Sequence, residues 1–228
     1  MAKHSKRYRR AAAAVDRTRQ YEPREALDLI KGLPGPKFDE TVDVVVRLGI
    51  DPKKTDQLVR GAVSLPKGLG KAVRVIAFAE GDKAEAARAA GADETGSADL
   101  AEKIQGGWLD FDIVVASPDM MKHVGKLGKI LGPQGKMPSP KSGTVTPDVA
   151  QAVRDFKAGK VEFRTDAGGN VHAPVGKRSF STEDLVENLT AFLDHLTHLR
   201  PPAVKGNFFR KVSISTTMGP GAWISYGS

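Results

Sequence analysis

Three parts of the chain alternate hydrophobic and polar residues with a period of two. The first is Phe38–Ile50, where valines and a leucine form one face and Asp43 is among the polar residues of the other. The second consists of Val161–Thr165 and Val171–Val175 around a five-residue hairpin loop, and the third is Lys211–Met218. A period of two is typical of strands with one buried and one solvated side. The pattern therefore predicts an antiparallel, half-exposed sheet.

Between these parts, nearly continuous hydrophobic strands alternate with helices. The predicted strands are Ala72–Ala79 and Asp112–Ala116, and the predicted helices are Lys83–Ala90, Asp99–Gln105 and Pro147–Lys157. Strands that are hydrophobic on both faces are typical of parallel sheets covered by helices on both sides. We therefore expect this region to form a three-layer α/β, Rossmann-like domain.

The regions on either side of this α/β pattern also contain predicted helices. Pro23 begins one that ends before Pro34, and Asp51 with Pro52 is predicted to cap a short helix through Val59. Ser181 and the acid three residues after it resemble a capping box. A long amphipathic helix is predicted from there to about residue 199.

Because the first and last regions share one pattern and the middle has another, we predict a protein of mixed α/β (α+β) class with two domains. Residues 1–67 plus 161–228 are expected to form a discontinuous, split α+β domain with an antiparallel, half-exposed sheet. Residues 68–160 are expected to form the inserted α/β domain. Both crossings contain glycine, which would permit the two domains to move relative to each other.

Charge is distributed along the chain in blocks. The 228 residues include no cysteine, which fits a reducing cytoplasmic location, and carry a formal net charge of +8. Residues 1–67 hold 15 basic and 9 acidic groups, residues 68–121 hold 5 and 10, and residues 122–160 hold 8 and 2. Such basic blocks indicate a polyanionic partner, nucleic acid before membrane. No apolar run is long enough for a membrane span or a signal peptide.

Positive charge is concentrated in two places. Gly125–Pro147, the basic stretch, contains five glycines, four prolines and four lysines but no acid. We interpret it as a semi-rigid surface for a polyanion, the alternative being a flexible surface loop. The other place is an N-terminal arm in which Tyr8 is available for stacking, the alternative being a solubilising tail. The cations of the arm are Lys3, Lys6, Arg7, Arg9 and Arg10.

Hydroxyl side chains accumulate at the end of the last predicted strand. Ser213, Ser215 and Thr217 are expected to face outward, and Gly219 follows them. Hydroxyls donate to phosphate and pair with the ribose 2′-OH, the group by which proteins distinguish RNA from DNA. This segment therefore indicates an RNA contact, the alternative being an edge strand whose polar residues face only water.

The sequence contains no motif that supports an enzyme. There is no phosphate-binding loop of the GxxxxGK[ST] type, and no GxGxxG follows a predicted strand. His195 and His198 lie one helical turn apart, but without a third ligand we interpret them as polar surface residues. We predict a non-enzymatic binding protein with no cofactor, metal or small-molecule substrate. An α/β enzyme acting on nucleotides or RNA and a sequence-tolerant DNA-binding protein stay open as alternatives.

Motifs that follow one another along nearly the whole chain resemble a known family. They are KHSKRY, KFDETVDVVVRLGIDP, VRGAVSLPKGLGK, WLDFDIVVASPDMM, KLGKILGPQGKMPSPKSGTVT, AGKVEFRTD, HAPVGK and TTMGPG. Together and in this order they resemble the bacterial large ribosomal subunit protein one family, the proteins of the mobile stalk. The chain departs from the family pattern at Ala62, Lys136 and Ser139, where Thr, Leu and Asn are expected.

The resemblance implies a function in translation. It implies binding to large-subunit ribosomal RNA and contact with deacylated transfer RNA that leaves the ribosomal exit site. It also implies repression of translation through binding to the messenger RNA of the protein's own operon. Off the ribosome the protein is expected to be a monomer.

The resemblance also assigns residues to two RNA surfaces. The primary surface lies on the discontinuous domain, and with Ser215 from the hydroxyl-rich strand it comprises Phe38, Thr41, Arg164, Asp166, His172, Thr217, Met218 and Gly219. A secondary surface on the insert is expected to comprise Lys126, Lys129, Gly132, Lys136 and Lys141.

Overall fold

The computed structural model describes residues 4–226, which divide into two compact units. The discontinuous unit joins the segment up to Gly70 to the segment from Val161, and the insert unit is Lys71–Lys160. The first limit thus falls at 70/71, whereas the sequence pattern placed it at 67/68. Lys3 of the basic arm lies outside the described residues.

Eight helices and ten strands are formed by the residues that the structure describes. The helices are α1 (Lys6–Ala13), α2 (Pro23–Gly32), α3 (Asp82–Ala89), α4 (Ala98–Gln105), α5 (Met121–Gly125), α6 (Gly128–Leu131), α7 (Val149–Ala158) and α8 (Thr182–His198). The strands are β1 (Gln20–Tyr21), β2 (Thr41–Leu48), β3 (Arg60–Ser64), β4 (Val75–Phe78), β5 (Glu94–Gly96), β6 (Ile113–Ala116), β7 (Lys160–Arg164), β8 (Asn170–Lys177), β9 (Phe209–Thr216) and β10 (Ala222–Ile224).

The discontinuous unit is built on a five-stranded sheet in the order β1-β10-β9-β2-β8. All neighbours are antiparallel except β1 and β10. Every second residue of β2, from Val42 to Leu48, is buried, so the predicted period of two is confirmed. The strand begins at Thr41 rather than at Phe38. This half-exposed antiparallel sheet is the architecture that the alternating pattern predicts.

Helices α2 and α8 pack on the buried face of this sheet, and α8 contributes fully buried residues such as Leu189 and Phe192. The predicted cap of α8 is confirmed, because the Ser181 hydroxyl oxygen accepts the N–H of Asp184 over 3.1 Å. Asn188 is buried inside α8. Its side-chain amide donates to the Val175 carbonyl over 2.8 Å and its oxygen accepts the Lys67 N–H over 3.0 Å. The helix is thus fastened both to the sheet and to the segment that leads towards the insert.

The predicted five-residue loop is confirmed, because an antiparallel bridge between Thr165 and Val171 closes it, but the predicted pairing of the two strands beyond it is wrong. The bridge joins the residue after β7 to the second residue of β8. Strand β7 pairs with β3 in a separate two-stranded sheet, while β8 joins the five-stranded sheet. The reason is packing: the Phe163 ring lies 5.4 Å from the Phe192 ring of α8, so β7 covers a different part of the core. The alternating pattern identified both strands but not their partners.

The predicted helix from Asp51 to Val59 is also wrong, since only a single 3₁₀ turn, Thr55–Gln57, is formed there. The Asp51 carboxylate accepts the N–H of Lys53 over 3.1 Å, and the Gln57 side chain accepts the N–H of Asp51 over 2.8 Å. Such local bonds between side chains and backbone compete with helix formation.

The insert unit has the predicted three layers. Its sheet is parallel in the order β5-β4-β6, and all four residues of β4 are buried. One face packs against α3 and α7 through residues such as Phe156, and the other packs against α4, α5 and α6 through residues such as Ile104 and Leu131. The predicted fold class, a split α+β domain with an inserted α/β domain, is confirmed. None of the helices within residues 4–226 has the length and apolar character to cross a membrane.

Candidate nucleic-acid interface

The face of the five-stranded sheet opposite α2 and α8, here called the open face, carries polar and charged side chains. The strand registers of β9, β2 and β8 place these side chains, together with Val45 and Pro174, in three rows. The rows are Ser215, Asp43 and Pro174; Ser213, Val45 and His172; and Lys211, Arg47 and Asn170. Two of the predicted site residues, Ser215 and His172, therefore lie on one surface.

At one end of the open face, Thr41 and Thr217 are in direct contact. The N–H of Thr41 donates to the Thr217 hydroxyl oxygen over 3.1 Å, and the N–H of Thr217 donates to the Thr41 carbonyl over 3.0 Å. The ammonium of Lys177 donates to the Thr41 hydroxyl over 3.0 Å. Thr217 is exposed, as predicted, but its hydroxyl already has a structural function. Both predicted residues are thus held in fixed positions by the protein.

A buried ion pair lies directly behind this contact. Glu40 is 1% exposed, and one of its carboxylate oxygens accepts from the Arg178 guanidinium over 2.9 Å. The other oxygen accepts the N–H of Met218 over 2.8 Å. Arg178 also donates to the carbonyls of Lys31 and Leu33 at the end of α2. Since all these partners are polar atoms of the protein, the pair fixes the backbone at Met218 to the start of β2.

Phe38 and Met218 present large hydrophobic side chains to solvent beside this fixed backbone. Phe38 is 55% exposed and Met218 is 49% exposed, and within residues 4–226 Leu58 is the only other exposed large hydrophobic residue. Two of these three side chains therefore belong to adjacent chain segments, one just before β2 and one just after β9. Exposed apolar groups that lie among positioned polar groups are typical of a binding surface.

Gly219 is required for the turn that follows Met218. Its N–H donates to the Thr216 carbonyl over 3.0 Å, and a Cβ at this position would overlap with the Thr216 hydroxyl oxygen. Thr216 is buried, so it has little room to move away. The absence of a side chain at Gly219 therefore allows the close approach of two chain segments, in addition to any contact with a ligand.

Asp166 organises the loop between β7 and β8. Its carboxylate accepts the backbone N–H groups of Gly168 and Asn170, both over 2.8 Å, and the Asn170 side-chain amide over 3.0 Å. His172 lies 3.3 Å from the same carboxylate. These bonds, above all the one from the Asn170 backbone, hold the pKa of the Asp166 carboxyl well below its ordinary value. The residue predicted to contact RNA thus has the geometry of a loop organiser.

The predicted primary residues form two groups rather than one. Phe38, Thr41, Thr217, Met218 and Gly219 lie where β2 begins and β9 ends. The second group consists of Arg164 at the end of β7, Asp166 in the loop, and His172 in β8. His172 is opposite Val45, four residues along β2 from Thr41, which corresponds to about 13 Å of strand. Ser215 lies between the two groups.

Asp43 occupies the middle of the open face and was not among the predicted site residues. Burial raises the pKa of its carboxyl, and the nearby charges of His172 and Lys177 partly oppose that increase. The alternation of β2 places Asp43 on the solvated side, so the position was readable from the sequence, but its half-buried environment was not. Lys177, Arg47 and Lys211 also lie on or beside this face and were likewise missed.

The basic stretch of the insert unit is ordered by buried residues. Leu127 and Leu131 are fully buried, and the Ser142 and Thr144 hydroxyls form a buried hydrogen bond of 3.0 Å. Of the predicted secondary contacts, four are exposed: Lys126, Lys129, Gly132 and Lys141. Lys136 differs from them, since its ammonium donates to the carbonyls of Leu109 and Phe111 over 3.2 and 2.6 Å. Its charge is directed at the protein rather than at solvent.

The two histidines of α8 each contact the protein. His198 donates from its ring to the Asp194 carbonyl over 2.7 Å, and His195 packs edge-on against the Phe163 ring. Burial, followed by the charge of His198, lowers the pKa of His195. Across residues 4–226, His, Asp and Glu side chains do not come together in groups of three or more that could hold a metal ion.

Comparison with known proteins gives a consistent result. Residues 29–220 match the Ribosomal protein L1p/L10e family. The large ribosomal subunit protein uL1 of Cutibacterium acnes is 59% identical over 222 residues, which cover 97% of this chain and 96% of that protein. The proteins of the same name from Bordetella pertussis and Mycobacteroides abscessus are 57% and 55% identical and cover the whole chain, with 98% and 97% of their own lengths matched. The resemblance drawn from the motifs is confirmed: the chain belongs to the Ribosomal protein L1p/L10e family.

Proposed function

We propose that the chain is a constituent of the large ribosomal subunit in the bacterial cytoplasm and binds large-subunit ribosomal RNA directly. The names of its full-length relatives support the first part. The second part is supported by the open face of the discontinuous unit, with its exposed hydrophobic, hydroxyl and cationic side chains. In this proposal the protein is not an enzyme and uses no cofactor.

The observation that carries the proposal is the exposure of Phe38 and Met218 on either side of the Thr41–Thr217 contact. An aromatic ring and a thioether offer flat, polarisable surfaces on which an unpaired base or a ribose can stack. The surrounding backbone is fixed by Glu40 and Arg178, so RNA meets a surface whose conformation does not have to be ordered on binding.

The two units have different tasks in this proposal. The discontinuous unit recognises a structured RNA site through Phe38, Thr41, Ser215, Thr217, Met218 and Gly219, with Arg164 and His172 at the far end. The exposed cations Lys126, Lys129 and Lys141 of the insert unit make a secondary contact with phosphates. Lys136 supports the fold of the insert unit and does not contribute its charge to that contact.

Contacts with exit-site transfer RNA and repression through the protein's own messenger RNA complete the proposal and rest on the family resemblance. If the messenger imitates the ribosomal site, both RNAs must occupy the same open face. A competition experiment tests this point: the two RNAs should displace each other, and Met218→Ala should weaken both. Simultaneous binding of both RNAs to one protein molecule would exclude a shared site.

The direct test begins with the RNA itself. RNA crosslinked to the full-length protein in a lysate should, after sequencing, map to one structured segment of large-subunit ribosomal RNA. Affinity for that segment should fall by about tenfold for Met218→Ala and for Phe38→Ala. Leu58→Ala, at the other exposed large hydrophobic side chain of the same unit within residues 4–226, is the matched control and should leave affinity unchanged. Equal loss for all three variants, or none for any, would contradict the proposed surface.

The two alternatives are separated by simple controls. A DNA of the same sequence and hairpin shape should compete weakly, because it lacks the 2′-OH groups that hydroxyl side chains recognise. Equal competition would favour a DNA-binding protein. Turnover of a nucleoside triphosphate or cleavage of the bound RNA by the purified protein would favour an enzyme.

A further inference from the structure

Two clefts lie where β9 begins, at the end of the five-stranded sheet away from Thr217. The larger has a volume of about 610 Å³ and the smaller about 240 Å³. Both are lined by Asn207, Phe209 and Tyr226, so they share one wall. Thr217 is six residues from Lys211, which corresponds to about 20 Å of strand. The clefts are therefore remote from Thr217 and Met218, and Lys211 lies one row beyond His172 on the open face.

Of the aromatic side chains that line the clefts, Phe209, Trp223 and Tyr226 are partly buried and Phe208 is buried. The Phe209 ring lies 5.6 Å from the Tyr226 ring and 5.2 Å from that of Phe208. In the smaller cleft, the ammonium of Lys211 lies over the ring of Trp223. Flat rings that are accessible at a surface are platforms for stacking, and every nucleobase has a π-face that suits them.

The charges differ between the two clefts. The smaller cleft is lined by Arg210 and Lys211, and Arg47 lies directly opposite Lys211 on β2. Within residues 4–226, none of these three cations has a carboxylate within ion-pair distance. Like charges on facing strands destabilise a sheet unless an anion joins them. This arrangement is suited to a phosphate.

The larger cleft is lined by the carboxylate of Asp194 and by the guanidinium of Arg200, which donates to the carbonyls of Val204 and Gly206. Asp194 accepts from the Tyr226 hydroxyl over 2.6 Å, and burial together with this partner raises the pKa of Tyr226 to about 12. Because the Arg200 guanidinium is already bonded to two backbone carbonyls, the Asp194 carboxylate disfavours a phosphate in this cleft, whereas a neutral base would be accepted. The division of charge thus sets the orientation of a nucleotide: base in the larger cleft, phosphate at the smaller one.

We propose that these paired clefts bind an unpaired nucleotide of single-stranded RNA. The base lies against Phe209 and Tyr226, and its phosphate is held by Arg210 and Lys211. On approach, the Lys211 ammonium moves from the Trp223 ring to the phosphate and leaves that ring free for the neighbouring base. The site extends nucleic-acid binding to the far end of the sheet and does not depend on the primary surface.

Trp223 makes the proposal measurable in the full-length protein. The chain has two tryptophans, so in a Trp108→Phe background Trp223 is the only one. Titration with a uridylate hexamer should quench its fluorescence. Lys211→Gln should weaken binding by about tenfold, as should Phe209→Leu, which keeps an apolar side chain but removes the ring. Lys54→Gln, an exposed cation elsewhere in the same unit, is the charge control and should change affinity little.

Two further measurements make the outcome decisive. Leu58→Ala should leave hexamer binding unchanged, because this exposed apolar residue lines neither cleft. Inorganic polyphosphate should bind more weakly than the hexamer, since it has no base to stack. Absence of Trp223 quenching, equal binding of polyphosphate, or wild-type affinity in Lys211→Gln would each overturn the proposal. If Phe209→Leu does not fold, Arg210→Gln takes its place.

Discussion

The hydroxyl oxygen of Thr217 lies 3.1 Å from the backbone nitrogen of Thr41 and accepts its hydrogen bond. The same hydroxyl lies 3.3 Å from the Thr41 carbonyl, to which it donates. One lone pair and the proton are therefore already used inside the protein. An RNA group that takes the proton must replace the longer of these two bonds, while the shorter one can persist. Thr217 thus combines a structural function with the recognition proposed for it.

Replacement of Thr217 by valine should consequently have two effects. The Thr41 N–H loses its acceptor, which should lower the free energy of unfolding by about 1 kcal/mol. RNA affinity should fall by about 1–3 kcal/mol, because a polar group of the RNA also loses its partner. Thr217→Ser, which keeps the hydroxyl, is the matched control and should retain both properties. Denaturant titration and RNA titration measure the two effects separately.

Salt dependence distinguishes this loss from a loss of charge. Thr217→Val should leave the slope of log K against log[salt] unchanged, whereas Arg164→Gln should reduce its magnitude by about 0.7–0.9. Wild-type affinity in a folded Thr217→Val protein would show that the outward hydroxyl faces only water.

A second prediction concerns the buried pair of Glu40 and Arg178. Arg178→Met removes the cation that is bonded to a carboxylate 1% exposed. The free energy of unfolding should fall by about 3 kcal/mol, as for other buried ion pairs that lose one partner. The double variant with Glu40→Gln should be less destabilised than Arg178→Met alone, because no unpaired charge is left. Equal stability of Arg178→Met and wild type in denaturant titration would contradict this account.

A third prediction concerns pH and Asp166. Its pKa is lowered in the folded protein from an ordinary value of 3.8, so its stabilising effect is complete above that value and disappears as pH falls below it. Asp166→Ala should therefore destabilise the protein by about 1 kcal/mol at pH 6, and the difference from wild type should shrink below about pH 4.

Asp166→Asn provides the matched control for this effect. Its side-chain oxygen can still accept the N–H groups of Gly168 and Asn170, but without a charge to titrate. It should lose less stability than the alanine variant at pH 6, and thermal unfolding across the pH range measures both. A difference between wild type and Asp166→Ala that grows towards low pH would contradict the assignment.

A fourth prediction separates two lysines of the basic stretch. Lys136→Gln should destabilise the insert unit, because the ammonium caps the carbonyls of Leu109 and Phe111. Lys141→Gln should leave stability unchanged but reduce the salt dependence of RNA binding, since this side chain is exposed. The reverse result would mean that Lys136 leaves its carbonyls to contact RNA.

A fifth prediction is that primary recognition survives without the insert unit. The buried core of the discontinuous unit is formed by its own residues, from Ala11 to Leu65 and from Val161 to Ile224. Residues 1–70 joined to 161–228 by a short linker should therefore fold cooperatively and bind the ribosomal stem-loop, with a weaker salt dependence. Cooperative unfolding combined with loss of specific binding would show that the insert unit carries recognition.

Local patterns predicted the longest strands and helices of this fold. Strand β2 was recognisable because its alternation is uninterrupted from Val42 to Leu48, and α8 because Ser181 begins it with a cap. The two glycine-containing segments that connect the units were predictable because the hydrophobic pattern changes at each. In these cases the information lies within about ten neighbouring residues, where periodicity and capping act.

Pairing over long sequence separations was not predictable in this way. Glu40 and Arg178 are 138 residues apart in the chain, and nothing near either residue indicates a buried pair. The predicted partner of β7 was wrong for the same reason. Its actual partner, β3, is about a hundred residues earlier in the chain, so no pattern among neighbouring residues could indicate it. Motifs identified Asp166 and Lys136 as candidate RNA contacts. In the folded protein, however, the charge of each is bonded to polar groups of the protein, and the sequence motifs do not show these bonds.

Gly35 shows how far such a long-range contact can act. A methyl group at this position would occupy the volume of the Arg178 guanidinium and crowd the Glu40 carboxylate. Because Glu40 also holds the N–H of Met218, displacement of the pair would be transmitted to the exposed thioether. In a genetic screen, Gly35→Ala should therefore have the phenotype of an RNA-contact mutation. Arg178→Lys should suppress this phenotype, because the lysine side chain is smaller and leaves room for the methyl group while keeping the positive charge.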